Sequence, residues 1–239
     1  MLEMLCVNKQ ISKINNLLHC FAMSISPDRI LYEDEHLIAV SKLSGELTVM
    51  AQGGSSKLSL LDFVRKDYPG LKAVHRLDYE TSGVVVFAKN SEVEKKILSN
   101  KFDQWEKTYL ALVMGRLEKN RGAIRKKLPA RGKGMVEAET LYTVLDRFGN
   151  STFLECIITT GRHHQIRKHF AGIEHPLVLD REYGHGKFNQ LFRQELGFSK
   201  FFLHASEISF PHPITGDKVH IKSPMPKSFV ACIKKLRSL

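Results

Sequence analysis

Apolar positions recur along this chain in short runs with two spacings, and together they outline a sheet-rich domain. Ile30 to Glu33 and Leu37 to Ser41 read as two short strands around the polar turn Asp34-Glu35-His36. Gly45 and Gly53-Gly54 mark loops. From Leu58 to Asp67 the apolar residues fall at helical spacing, and the run stops before Pro69-Gly70. Val84 to Ala88 is a β-branched apolar run that predicts a buried strand. Ser91 offers a helix cap with Glu94 at the capping-box position, predicting a helix to about Lys101. Thr108 to Met114 reads as another strand, and the Gly/Arg/Lys-rich segment after it as an exposed loop or hairpin. Glu139 to Arg147 and Thr152 to Thr160 read as strands paired across Gly149-Asn150. A helix is expected from His163 to Gly172, with Thr160 able to cap it. A Pro/Gly-punctuated stretch, a strand at Phe201 to Phe210, a hairpin at Pro213–Gly216 and an amphipathic helix from Pro226 close the chain. Strands outnumber helices and many neighbours are hairpin-linked. The fold class is therefore α+β, a mixed and largely antiparallel sheet with flanking helices.

Size and composition narrow this picture. The 239 residues, 43% of them hydrophobic, suffice for one sizeable core, expected in a domain over residues 26–239. Residues 1–25 are too few to fold alone and read as an extension. Met23 is a second candidate start, because the recognisable domain pattern begins just after it. No apolar run approaches the length of a membrane helix. Cys6, Cys20, Cys156 and Cys232 are scattered without a C-x-x-C pair, so reduced thiols and a cytoplasmic location are expected, with no zinc cluster.

Charge adds a partner. The net charge is +11, and it is gathered into patches. Residues 116–134 hold eight basic side chains against Glu118, among them Arg125, Lys126 and Lys127. The segment from Lys218 to Leu239 has six and no acid. Such patches are what a phosphate backbone attracts, although a solvated basic surface has the same composition.

Three segments concentrate reactive side chains. His75-Arg76-Leu77-Asp78-Tyr79-Glu80-Thr81-Ser82-Gly83 runs into the apolar strand, which sets a carboxylate at a sheet end beside a cleft. Its bland alternative is a surface pair of Arg76 and Asp78, worth little for stability. Gly161-Arg162-His163-His164-Gln165-Ile166-Arg167-Lys168-His169 puts cations at a helix start, against its dipole, so a carboxylate or a phosphate should compensate. Arg167 and His163 would share a face there. The histidines lack metal-ligand spacing. Lys107-Thr108-Tyr109 opens a strand, where a tyrosine is ordinarily a core-edge residue.

Together these segments resemble the RluA-type pseudouridine synthase family. His75 to Gly83 resembles its H-R-L-D-x-x-T-S-G motif, and Ala88-Lys89 the A-K that follows. Lys107 to Val113 resembles K-x-Y-x-A-x-V, and Thr160 to His169 resembles T-G-R-x-H-Q-I-R-x-H. His175-Pro176 to Tyr183-Gly184 is similar to H-P-I-x-G-D-x-x-Y-G, Ser41 to Gly45 to N-K-P-x-G, and Leu203-His204-Ala205 with His212-Pro213 to the closing L-H-A…H-P. The match spans about residues 28–225 in order, and Phe192 to Pro213 looks most like the tRNA pseudouridine synthase C branch. Leu43 stands where the family has proline. Leu179 replaces the glycine before Asp180, which implies ordinary side-chain sterics at that corner.

The resemblance implies an isomerase that turns a uridine of structured RNA, in tRNA or ribosomal RNA, into pseudouridine in a central RNA-binding cleft. No metal or organic cofactor is implied, and a monomer is the default. Asp78 would be the catalytic carboxylate, Arg167 its oriented counter-ion and Tyr109 the ring against uracil. Arg76 would fill the gap left by the extruded base. Lys42, Arg162, His164, Gln165, Arg125, Lys126 and Lys127 would contact RNA. Two other readings stay open on the residues alone. One is a glycosidase using Asp78 and Glu80; the other is an RNA-binding protein without activity.

Overall fold

The computed structural model describes residues 25–50, 58–100, 104–130 and 132–239. The expectations at residues 1–24, Gly53-Gly54 and Arg131 lie outside the described residues. In chain order the elements are β1 (Ile30–Glu33), β2 (Leu37–Lys42), α1 (Leu60–Asp67), β3 (Lys72–Ala73), β4 (Ser82–Ala88), α2 (Ser91–Ser99), β5 (Glu106–Met114) and β6 (Arg121–Arg125). Then come β7 (Leu128–Pro129), β8 (Met135–Val136), β9 (Glu139–Arg147), β10 (Ser151–Ile158), α3 (Gln165–Ala171), α4 (Gly186–Leu196), β11 (Leu203–Pro211), β12 (Lys218–Lys222) and α5 (Lys227–Arg237). A 3-10 turn, Pro27–Arg29, precedes β1.

Ten strands form one mixed sheet in the order β1-β2-β4-β11-β5-β10-β9-β6, with β12 added on β11 and β3 on β4. All its pairs are antiparallel except β4 with β11. The basic segment expected to be an exposed loop or hairpin is corrected in part: its Arg121–Arg125 forms β6, an edge strand of the main sheet on β9, and β7 and β8 after it make a separate hairpin.

Side-chain alternation splits the core across the sheet. Tyr109, Ala111 and Val113 of β5 join Leu154 and Cys156 of β10 in the larger apolar cluster. Leu112 and Phe153 point the other way, against Phe192 of α4 and Phe229, Cys232, Ile233 and Leu236 of α5. Cys156 and Cys232 are buried free thiols.

The parallel β4–β11 contact explains one motif glycine. A Cβ on Gly83 would lie 2.2 Å from the Ala205 carbonyl oxygen, and the residue sits at φ +122°. Only glycine fits both demands. β4 begins directly after the turn that carries Asp78, closed by Thr81 N–H donating to Asp78 O at 3.1 Å.

Three other local expectations are corrected. Asn90, not Ser91, caps α2, its side chain accepting from Val93 N–H; a capping box occurs instead at α1, between Ser59 and Asp62. Thr160 does not cap α3. The cap residue is His164, in the left-handed region at φ 55°, so His163 lies outside the helix and stacks on His164 rather than sharing a face with Arg167. Finally, the stretch read as punctuation contains α4. His185 caps it by accepting from Phe188 N–H, and Gly197 ends it at φ 74°.

Candidate active site

Asp78 stands in the turn before β4 with 28% of its side chain exposed. Two cationic or hydrogen-bonding groups from the α3 region face it, one on each oxygen. Arg167 Nη1 lies 3.5 Å from Oδ2, and His164 Nε2 lies 3.6 Å from Oδ1. The left-handed backbone at His164 is what turns that ring back over the helix start.

Arg167 is buried, and its closest partner is Asp180. Nε and Nη2 donate to the two Asp180 oxygens at 2.7 and 2.8 Å, while Nη2 lies 3.3 Å from Glu182. The guanidinium also lies over the Tyr183 and Phe201 rings. Burial alone would pull the arginine down, but the hydrogen bonds and charges of Asp180, Asp78 and Glu182 outweigh it and raise its pKa. Asp180 is itself held below the ordinary carboxylate range: burial pushes it up, and Arg167 and the Tyr183 and Glu182 backbone N–H groups pull it down further. The compensating anions expected for the cation-rich segment are protein carboxylates for Arg167 and His164, while exposed Arg162 has none among the described residues.

His164 completes a second small network. Its Nδ1 is 3.0 Å from Tyr183 Oη and 3.2 Å from Glu182. Burial lowers its pKa despite the pull of Asp78. Glu80, the second acid of the glycosidase reading, is paired with exposed Arg181 at 3.3 Å.

Tyr109 is buried behind Asp78 on β5. Burial and the Asp78 charge push its phenol well above the usual tyrosine range. His75, first residue of the Asp78 motif, anchors that segment, its Nε2 accepting from Val86 N–H at 2.9 Å. Burial and Lys107 push its pKa down to about 3, which keeps the ring neutral.

Two residues expected to contact RNA are placed otherwise. Lys42 is fully buried, and its amine donates to the carbonyls of Leu43, Tyr79 and Thr81 at 3.1, 3.0 and 2.6 Å. It pins the Asp78 turn from beneath. Gln165 is also buried; its Oε1 accepts from Thr160 Oγ1 and Arg162 N–H, and its Nε2 donates to Glu139 O. Both are buried polar groups satisfied inside the protein, Lys42 by backbone carbonyls and Gln165 by backbone and Thr160, which is why they cannot reach a phosphate.

Arg76, Arg162 and His163 are exposed, and Arg76 and Arg162 have no side-chain partner among the described residues. Arg125, Lys126 and Lys127 are exposed too, at the far side of α3; Arg125 pairs with Glu139, and Lys127 with Glu137 at 3.1 Å. Arg125 and Lys126 border a surface concavity of about 370 Å³ shared with Ala123, Ile124, Tyr142 and Ile173, which does not include Asp78. Among the described residues no group of His, Cys, Asp and Glu could hold a metal, and no helix is long and apolar enough to cross a membrane.

The reading of Leu179 is corrected as well. It adopts φ +65° despite its side chain. Asn189 on α4 holds the corner, accepting from Leu179 N–H at 2.8 Å and donating to Asp180 O at 2.9 Å, while the leucine side chain is buried among apolar neighbours. Those contacts offset the roughly 1–3 kcal/mol that such a conformation costs. Residue type alone does not mark Asp180 or Glu182 as site residues. The available signal was the D-x-x-Y-G run itself.

The constellation has counterparts elsewhere. The sequence profile described as RNA pseudouridylate synthase matches residues 36–172, which hold Asp78, Tyr109 and Arg167. The chain is 33% identical over 236 residues to ribosomal large subunit pseudouridine synthase C of Salmonella typhi, covering 92% of this chain and 73% of that protein. It is 34% identical over 222 residues to tRNA pseudouridine synthase C of Vibrio vulnificus, covering 83% and 91%. The human RNA pseudouridylate synthase domain containing 4 superposes with a TM-score of 0.74 at 22% identity, covering 88% of this chain and 93% of that one, which speaks for the fold. A carboxylate at a sheet end, an arginine across from it and a buried tyrosine behind it thus sit on a shared fold and inside a matching profile: the chain belongs to the RNA pseudouridylate synthase family, and is an isomerase that converts uridine in RNA to pseudouridine.

Proposed function

We propose that Asp78 is the catalytic carboxylate, acting on a uridine drawn out of a structured tRNA or ribosomal RNA. The observation that carries this reading is the carboxylate itself: partly open to solvent, and faced on one oxygen by Arg167 at 3.5 Å and on the other by His164 at 3.6 Å. In the reaction the bond from ribose C1′ to uracil N1 breaks, the base turns, and a bond forms from C1′ to C5. The C5 proton leaves and N1 gains one, so atoms balance without an oxidant or added water. Arg167 orients Asp78 and shares its charge.

Tyr109 presents its ring to the uracil. Its hydroxyl enters the reaction protonated, because burial and Asp78 raise its pKa. It can take the C5 proton only by passing its own proton on. Arg76, exposed and next but one to Asp78, occupies the space the uridine vacates, which offsets part of the few kcal/mol of unstacking. Arg162, Arg125, Lys126 and Lys127 contact phosphates on either side of α3. In this reading residues 26–239 form the catalytic domain, working as a cytoplasmic monomer.

Substrate choice is the finer part. The stretch Phe192 to Pro213 supports tRNA, while the relatives named for the two RNA classes are about equally identical to this chain. The test is tritium release from RNA labelled at uracil C5, taken from cells lacking the gene and separated into tRNA and ribosomal fractions. Release from tRNA alone supports the proposal in full, and release from ribosomal RNA alone replaces the substrate class. No release from either, with RNA binding intact, refutes the catalytic reading of this site.

A further inference from the structure

Arg167 faces three carboxylates, and the one proposed for catalysis is the most distant. Asp180 takes Nε and Nη2 at 2.7 and 2.8 Å, Glu182 lies 3.3 Å from Nη2, and Asp78 is left with Nη1 at 3.5 Å. A planar guanidinium bound through two adjacent nitrogens has its remaining donor direction fixed. The Asp180 side chain is fully buried, so this is no loose surface pair.

Asp180 is itself over-determined. Its Oδ1 accepts from the backbone N–H groups of Glu182 and Tyr183, and its carbonyl accepts from Asn189 of α4. Leu179 holds a left-handed conformation to present it. Gly184 belongs to the same corner, since a Cβ there would lie 2.1 Å from Asp180 O. Strain, burial and hydrogen bonds from three groups, Arg167 and two backbone N–H, converge on a carboxylate outside the segment that matches the family profile.

We infer that Asp180 is the positioning residue of the reaction: it aims Arg167 so that a single nitrogen meets Asp78, and the α4 corner exists to hold it there. The Asp78 carboxylate then keeps lone pairs free for substrate instead of closing into a two-pronged pair with the arginine. This rests on Asp78 and Arg167 having the roles proposed above.

The test is a double-mutant cycle of Asp180→Asn and Arg167→Lys, read by single-turnover tritium release, with RNA affinity measured separately. Asp180→Asn keeps the shape but sets an amide N–H against an arginine donor. The expected result is a rate reduced about a hundredfold by misaim of the guanidinium, with affinity within about twofold of wild type, consistent with an effect confined to the transition state. In the Arg167→Lys background the same substitution should change the rate less than about threefold, because its target is already lost. A full additive loss in that background, or a loss residing in affinity, overturns the inference. If Asp180→Asn does not fold, Asn189→Ser loosens the corner without changing any charge. It should slow the wild type about tenfold and the Arg167→Lys protein hardly at all; equal slowing of both, or of neither, overturns the inference. Asp78→Asn serves as control, and activity surviving it defeats the underlying reading instead.

Discussion

Replacing Lys42 by methionine should cost activity while leaving stability at neutral pH almost unchanged. The amine is fully buried, and burial pushes its pKa down to about 8 although Glu46 and Asp78 pull it back up. From the ordinary 10.5 to about 8, at ~1.4 kcal/mol per pH unit, the folded protein bears roughly 3 kcal/mol for holding that charge at pH 7. Methionine removes this burden. It also removes three hydrogen bonds, but Tyr79 O keeps Gly45 N–H and Leu43 O keeps Glu46 N–H. Thr81 O, at 2.6 Å, depends most on the amine, and an orphaned buried carbonyl costs about 1–3 kcal/mol. The two contributions nearly cancel at pH 7. What does not cancel is geometry, because two of the three carbonyls, Tyr79 O and Thr81 O, belong to the turn that carries Asp78 and the third ties that turn to the end of β2. The expected result is a midpoint in urea near wild type, with tritium release slowed tenfold or more, on the order of the effect of a small misplacement. The pH dependence has a definite sign. A base whose folded pKa is depressed binds more protons in the unfolded chain between about 8 and 10.5, so wild-type stability should gain from Lys42 as pH rises through that window. Lys42→Met should lose this gain. Identical stability slopes for the two proteins between pH 8 and 10.5 would refute the buried-amine argument.

Other consequences follow from the same geometry. Gly83→Ala should destabilise by about 3 kcal/mol or more, since the new Cβ meets Ala205 O at 2.2 Å on a backbone at φ +122°; a denaturation midpoint like wild type would contradict the close β4–β11 approach. His75→Gln should flatten the acid limb of the stability curve. The folded imidazole is held to about 3, so wild type loses stability as pH falls from about 6.5, where the unfolded chain takes up the proton. Arg162→Ala and Lys126→Ala should each weaken RNA binding and reduce the salt slope by about one, measured by titrations at several salt concentrations.

Apolar and β-branched runs make most strands legible, and the ten-stranded sheet contains every one expected; β3 and β6 are not legible, one being two residues long and the other, Arg121–Arg125, mostly exposed and charged. Nor was α4. Gly184 and Gly186 suggested a loop, while the helical signal, Phe188, Phe192 and Leu196 at four-residue spacing, lies behind them. The motifs point to Asp78, Tyr109 and Arg167. They could not distinguish a lysine that reaches outward from one that pins a turn, because residue type is silent on burial. The resemblance implies RNA contacts for Lys42 and Gln165, and folding satisfies both with partners inside the protein instead. Leu179 shows the opposite limit. Sequence sterics argue against a left-handed leucine, and only the clamp from Asn189, ten residues on, makes it tenable.

The central claim is that one carboxylate, Asp78, carries the isomerisation. Single-turnover tritium release by wild type and Asp78→Asn on the same C5-labelled RNA, with binding measured in parallel, tests it most directly. Loss of release with affinity retained is the predicted result. Release by the Asp78→Asn protein at a rate near wild type would contradict the claim.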